Sequence, residues 1–196
     1  MDSILKIQAQ ADLPSQYGTF KMAVFSTSSE DLMPHIVLIH SDLDTSKPIH
    51  VRIHSECVTG DLFASKRCDC GEQLSAAMHI IEAEKGMLIY LRQEGRGIGL
   101  INKLKAYNMQ EQGMDTIQAN THLGFEVDAR QYNDALIILK HFDVQKIHLL
   151  TNNPLKVKAF EQNNIEVVSR VGLSIKPNAV NQSYFDVKKI QMGHLF

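Results

Sequence analysis

No stretch of this 196-residue chain approaches the roughly 20 consecutive apolar residues that a membrane span requires. The opening residues, MDSILKIQAQADLP, have no basic start followed by an apolar run and a small-residue cleavage site, so no secretory leader and no membrane partner are expected, and the protein is expected to be cytoplasmic. An excess of either charge is also missing. Lys and Arg total 20 against 22 acidic residues, a formal net charge of -2, which excludes the broad electrostatic footprint of a duplex nucleic-acid binder. Any anionic ligand must therefore be gripped locally. The five prolines are scattered, and no low-complexity tract, charge block or fixed-period repeat interrupts the chain, so residues 1-196 are expected to form one unit. Cysteine is scarce and odd in number. Three cysteines make no disulfide framework in a chain of this length and compartment, which leaves metal binding or burial.

Hydrophobic patterning predicts an α/β fold, a single layered domain with a mixed sheet flanked by helices. Strands are expected at 18-25, 35-40, 49-54, 87-91, 146-150 and 165-169. Helices are expected at 73-83, 100-112, 130-141 and 155-162. The first of these places Leu74, Ala77, Met78 and Ile81 on one face; the third buries Tyr132, Ala135, Leu136 and Leu139. Strands alternating with helices put ligands beyond the carboxyl ends of the strands.

All three cysteines fall in HSECVTGDLFASKRCDCG, as Cys57, Cys68 and Cys70. A Cys-x-Cys pair can present two thiolates from one tight turn, with Gly71 letting the backbone bend, and the third ligand returns across a loop. Three ligands without a fourth cysteine suit a catalytic zinc, which keeps a coordination position open. His54 stands as the alternative fourth ligand, which would close a structural site. Glu56, beside the first cysteine, is placed to take a proton from activated water.

RQEGRGIG brings two arginines and three glycines together, a composition for backbone approach and guanidinium pairing with phosphate; the alternative is a glycine-rich turn with solvated arginines. It is no dinucleotide fingerprint, because Leu100 stands where the last glycine would be. TNNPLK reads as a strand-to-helix turn with Thr151 and two asparagines as caps, Pro154 in the first turn and Lys156 reaching back; phosphate binding is natural there, an ordinary capped helix the plainer account. In EVDAR, Asp128 is expected to cap the following helix, with Arg130 in its first turn.

RIHSECVTGD, RCDCG, RQEGRGIG, KAYNMQEQGMDT, VDAR and TNNPLK occur in that order, and with them the chain resembles GTP cyclohydrolase II of riboflavin biosynthesis from about Gly18 to His194, including the closing YFDVKKIQMGH. The resemblance implies hydrolysis of GTP to a diaminopyrimidine ribosylamino phosphate with release of formate and pyrophosphate. It implies one zinc on Cys57, Cys68 and Cys70, magnesium with the triphosphate, and a homodimer. Arg130 would be the nucleophile toward the α-phosphate and Asp128 its proton acceptor, with Glu56 and Tyr107 serving proton transfer. Nucleotide contacts would come from Arg52, Ile53, His54, Ser55 and Glu56 on one segment. Gln73, Glu94, Gly95 and Arg96 would add to these, as would Thr116, Thr151 and Lys156. The segment SIKPNAVNQSYF departs from the shorter connection usual in the family. A zinc nucleobase deaminase is the competing enzyme class: His54-Ser55-Glu56 matches its H-x-E signature, but R-C-D-C does not supply its P-C-x-x-C. A zinc-stabilised binding module without catalysis is the other reading.

Overall fold

The computed structural model describes residues 4-126, 129-190, 193 and 195, without the side chain of Ser183. Seven strands form one mixed sheet: β1 (Lys6–Ser15), β2 (Gly18–Ser26), β3 (His35–His40), β4 (Ile49–Ser55), β5 (Met87–Leu91), β6 (Lys146–Leu150) and β7 (Glu166–Val171), in the order β1-β2-β3-β5-β4-β6-β7. The half containing β1, β2, β3 and β5 is antiparallel, and β5, β4, β6 and β7 run parallel. The helices are α1 (Val58–Asp61), α2 (Cys70–Ala83), α3 (Gly99–Glu111), α4 (Thr116–His122), α5 (Asn133–His141), α6 (Pro154–Glu161) and α7 (Gln182–Ile190), with one 3-10 turn at Glu94–Gly97. The expected α/β architecture with a mixed, helix-flanked sheet is what the structure has.

Alternation along the parallel strands decides which helix covers which face. Val51 and Ile53 of β4, Met87, Ile89 and Leu91 of β5, and Ile147 and Leu149 of β6 pack with Ala135, Ile138 and Leu139 of α5 and Phe160 of α6. On the opposite face Leu88 and Leu150 pack with Ala77, Met78 and Ile81 of α2. Between them on that second face, β4 turns Arg52 and His54 inward, and both are buried. A buried strand face carrying an arginine and a histidine is unusual, because each polar group removed from water must find a partner.

The connection leaving β4 runs to β5 on one side, and the connection leaving β6 runs to β7 on the other. Two neighbouring strands whose connections diverge leave a crevice at their carboxyl ends, the favoured ligand position in open α/β sheets. Ser55, Leu91 and Leu150 end the three central strands at that edge, so the segments that follow them share one rim.

Several expectations change. β1 is a largely exposed edge strand joined to β2 by a hairpin in which Ser15 pairs with Gly18. α4 and α7 were not expected either, although Asp115 and Gln118 form a capping box at the start of α4. α5 begins at Asn133 with Tyr132 at its N-cap, not at Arg130. Asp128, expected to cap this helix, lies outside the described residues, and Arg130 precedes the helix instead of opposing its dipole.

Candidate metal and nucleotide site

The sulfur atoms of Cys57, Cys68 and Cys70 all lie within 4.8 Å of one another, and Cys57 and Cys68 are 3.7 Å apart. Two sulfurs on one tetrahedral zinc, each bonded at ~2.3 Å, stand about 3.8 Å apart, so the donor set fits a single ion of that kind. Convergence depends on glycine, though not through the bend expected at Gly71. A Cβ on Gly71 would collide with the Gly60 carbonyl oxygen, and a Cβ on Gly60 would stand 2.9 Å from Cys68 Sγ and 3.2 Å from Cys57 Sγ. The two cysteine-bearing segments approach backbone to backbone because neither glycine has a side chain.

Around the cluster the charges are ordered. The Cys68 and Cys70 thiols flank Cys57, and the Lys103 ammonium lies 3.0 Å from Cys57 Sγ, so the Cys57 thiol is held well below its ordinary pKa. Beside that thiolate Cys68 is pushed up to about 11, and Cys70 is raised as well. Burial works against the charge on Lys103, but the Glu94 carboxylate at 2.8 Å and the Cys57 sulfur keep it protonated. The motif reading missed Lys103. Nothing in the α3 sequence GLINKLKAYNMQE marked it, because the helix exposes Leu100, Ile101 and Leu104 and turns Lys103 inward with Ala106.

Glu94 is committed to the same cluster. One oxygen accepts from Lys103 and from the Gly95 N–H, and the other accepts from the Val58 N–H at 2.6 Å. Its carboxylate thus ties the arginine-glycine loop to the cysteine loop. Gly95 and Arg96 both have φ of 63°, a left-handed conformation that costs Arg96 of order 1 kcal/mol and is characteristic of functional loops.

His54 is not a fourth metal ligand, as the alternative reading had it. Burial lowers its pKa, and in the neutral ring Nε2–H donates to Asp61 at 3.0 Å while Nδ1 accepts from Arg52 at 3.3 Å. Both ring nitrogens are therefore used. Asp61, which motif reading also missed, accepts in addition from the Cys57 N–H and from the Tyr90 hydroxyl. Arg52 donates to the Leu150 carbonyl and to Gln73, whose amide donates to Asp69.

One cavity of about 450 Å³ opens at the carboxyl edge and includes the cysteine cluster in its wall. Arg52, Arg96, Arg130 and Lys156 line it, as do Ser55 and Glu56. The Ser55 hydroxyl is buried with no hydrogen-bond partner among the described residues, which suits contact with a ligand. Glu56 accepts from Arg92 at 2.7 Å. Tyr107 faces the cavity under the Arg67 guanidinium, and burial pushes its pKa up to about 12, so it remains a phenol that can donate. His54, Gln73, Glu94, Gly95, Thr116 and Thr151 also reach the cavity wall. Ile53 does not: its side chain is in the core, and its carbonyl accepts from Lys156 Nζ at 2.8 Å. The caps expected in TNNPLK are divided, with Asn153 capping α6 and Asn152 bonded to Leu173.

Fold and site together define an α/β protein in which a three-cysteine cluster able to hold a metal ion opens into a cation-lined cavity. The family model for GTP cyclohydrolase II matches residues 6–172. A GTP cyclohydrolase-2 of Picrophilus torridus is 43% identical over 194 residues, covering 98% of this chain and 100% of that protein. Riboflavin biosynthesis proteins RibBA of Chlorobium phaeovibrioides and Staphylococcus saprophyticus are 49% and 51% identical, over 95% and 98% of this chain. The chain spans less than half the length of these two relatives, 45% and 49%. Among solved structures, a two-domain 3,4-dihydroxy-2-butanone 4-phosphate synthase from A. baumannii superposes with a TM-score of 0.50 at 18% identity, covering 89% of this chain and 41% of that one, a likeness of fold alone. The chain belongs to the GTP cyclohydrolase II family.

Replacing Gly60 with Ala is expected to reduce the metal retained by purified protein at least ~10-fold and to cost about 1–3 kcal/mol of stability through overpacking against the sulfurs. Metal analysis and thermal melting check this; an alanine variant with the wild-type metal content would contradict the cluster geometry.

Proposed function

We propose that this protein hydrolyses GTP to the diaminopyrimidine ribosylamino phosphate, releasing formate and pyrophosphate, as the committing step toward riboflavin. The observation that carries the reading is the shared cavity: a three-sulfur cluster forms one part of its wall, and cationic side chains, among them Arg52 from β4, Arg96 and Arg130 from loops and Lys156 from α6, line another part. Such a cavity matches a ligand with a long anionic chain and a base that undergoes metal-assisted hydrolysis. The zinc-stabilised binding module is disfavoured by Tyr107 and Glu56 facing the same space.

The metal is assigned as zinc because thiolate donors select it over magnesium, which prefers oxygen. When bound to Cys57, Cys68 and Cys70, zinc would supply a Lewis acid and an activated water for ring opening at carbon 8. Lys103 offsets the charge of the thiolates. Glu56 and Tyr107 move protons, the first as acceptor and the second as donor. Arg52, Ser55, Gln73, Thr116 and Thr151 orient the nucleoside, with Arg96 and Lys156 holding phosphates and magnesium accompanying the triphosphate. Arg130 is assigned as nucleophile toward the α-phosphorus. An N–P bond forms as the P–O bond to pyrophosphate breaks, Asp128 takes the guanidinium proton, and water then cleaves the N–P bond.

A reducing, cytoplasmic setting is the compartment consistent with three free thiols. No helix among the described residues is long and apolar enough to cross a membrane. A homodimer is proposed through α3, which exposes Leu100, Ile101 and Leu104. Sedimentation as a monomer at micromolar concentration would remove that assignment.

Incubation of purified protein with GTP, magnesium and zinc should yield formate and pyrophosphate in equal amounts. Ammonia would indicate deamination, and no product would indicate a binding module. Arg130→Ala should slow pyrophosphate release by more than about 100-fold; release at the wild-type rate would overturn its role as nucleophile.

A further inference from the structure

The match to the family model ends at residue 172, and α7 begins ten residues later, at Gln182. Yet α7 forms part of the wall of the cavity through Tyr184, Val187 and Lys188. It is seated by Phe185 and Val187, both buried, and preceded by the fully buried Asn181, which accepts from the Asn178 N–H.

The attachment of α7 to the sulfur cluster is ionic. Lys188 Nζ donates to Asp69 Oδ1 at 2.6 Å, with the two side chains only 8% and 0% exposed. Asp69 stands between Cys68 and Cys70 and is the N-cap residue of α2. Its second oxygen accepts from Gln73, which in turn accepts from Arg52 on β4. A buried ion pair is a poor device for stability, because desolvating both charges cancels most of their attraction. Its geometry, however, is specific, and here it fixes the short loop that presents two of the three sulfurs. Along the same helix, the Tyr184 ring lies 4.4 Å from Lys188 Nζ and 5.8 Å from the Arg96 guanidinium, so one helix meets both the cysteine loop and the arginine-glycine loop.

We propose that α7 is a positioning element of the site: through Asp69, Lys188 holds the loop carrying Cys68 and Cys70 in register with Cys57, and Tyr184 sets the Arg96 side chain against the cavity. The working unit of the enzyme therefore extends beyond residue 172. Lys188 and Tyr184 act through Asp69 and Arg96, and neither is assigned a chemical step. The part concerning Arg96 rests on the nucleotide reading above; the part concerning the cysteine loop does not.

The test uses the full chain loaded with zinc and follows zinc transfer to a chromophoric chelator, alongside kcat and KM for GTP. Lys188→Met should accelerate zinc release at least ~10-fold, the scale on which partners of metal ligands act, and Lys188→Arg should restore most of the wild-type rate. Tyr184→Leu should raise KM for GTP several-fold with zinc release unchanged. If Lys188→Met does not fold, Asp69→Asn, which keeps the side-chain size, should show the same faster release. Wild-type zinc release in the folded variant, with only a lowered melting temperature, would overturn the positioning role. Should the wild-type protein not turn over GTP, the nucleotide reading fails while zinc release still decides the tether.

Discussion

Three sulfur atoms from two separate stretches of chain are brought within 4.8 Å of one another, and most of the site's architecture follows from that demand. Mutually close thiols repel as they ionise, so the cluster needs cations, hydrogen bonds and a rigid frame. The frame is the carboxyl edge of the parallel half-sheet, where β4 runs into the first cysteine and α2 starts at the last. Backbone contact between Gly60 and Gly71 closes the distance. Lys103 supplies the positive charge, and Glu94 keeps that lysine in place while holding the arginine-glycine loop to the start of α1.

The same demand accounts for the polar inner face of β4. Arg52 and His54 occupy positions where a sheet under a helix would ordinarily carry aliphatic side chains. They are retained within a network that runs from Lys188 through Asp69, Gln73, Arg52 and His54 to Asp61, and Asp61 ends on the Cys57 N–H. Burial lowers the Arg52 pKa to about 10 and keeps His54 neutral, so the two cations of the network, Lys188 and Arg52, are separated by Asp69 and Gln73 and are not a run of like charges. Each cysteine segment is thereby braced by a network that itself forms part of the cavity wall.

Much of this was legible in the sequence, for reasons that differ by element. The strands at 35–40, 87–91 and 146–150 coincide with apolar runs because one face is buried and the other is at least partly covered. The edge strand β1 was not read, although Ile7, Ala9, Ala11 and Leu13 alternate with Lys6, Gln8, Gln10 and Asp12: two of the four apolar residues are alanines, the strand is largely exposed, and its pairing comes from the hairpin with β2. The cysteine cluster was legible because three thiols so closely spaced have few other uses. Asp61 and Lys103 were not, because an aspartate seven residues after a histidine and a lysine in the middle of a helix signal nothing until the fold brings them to His54 and Cys57. Ile53 was carried into the binding set with its motif neighbours, although strand alternation sends its side chain to the opposite face.

X-ray absorption at the zinc edge of the purified, zinc-loaded protein tests the central claim most directly. The account predicts three sulfur neighbours at ~2.3 Å and one lighter donor that exchanges with solvent or ligand. A shell closed by four protein ligands, whether by an imidazole or a fourth sulfur, would contradict it, as would a protein that binds no zinc.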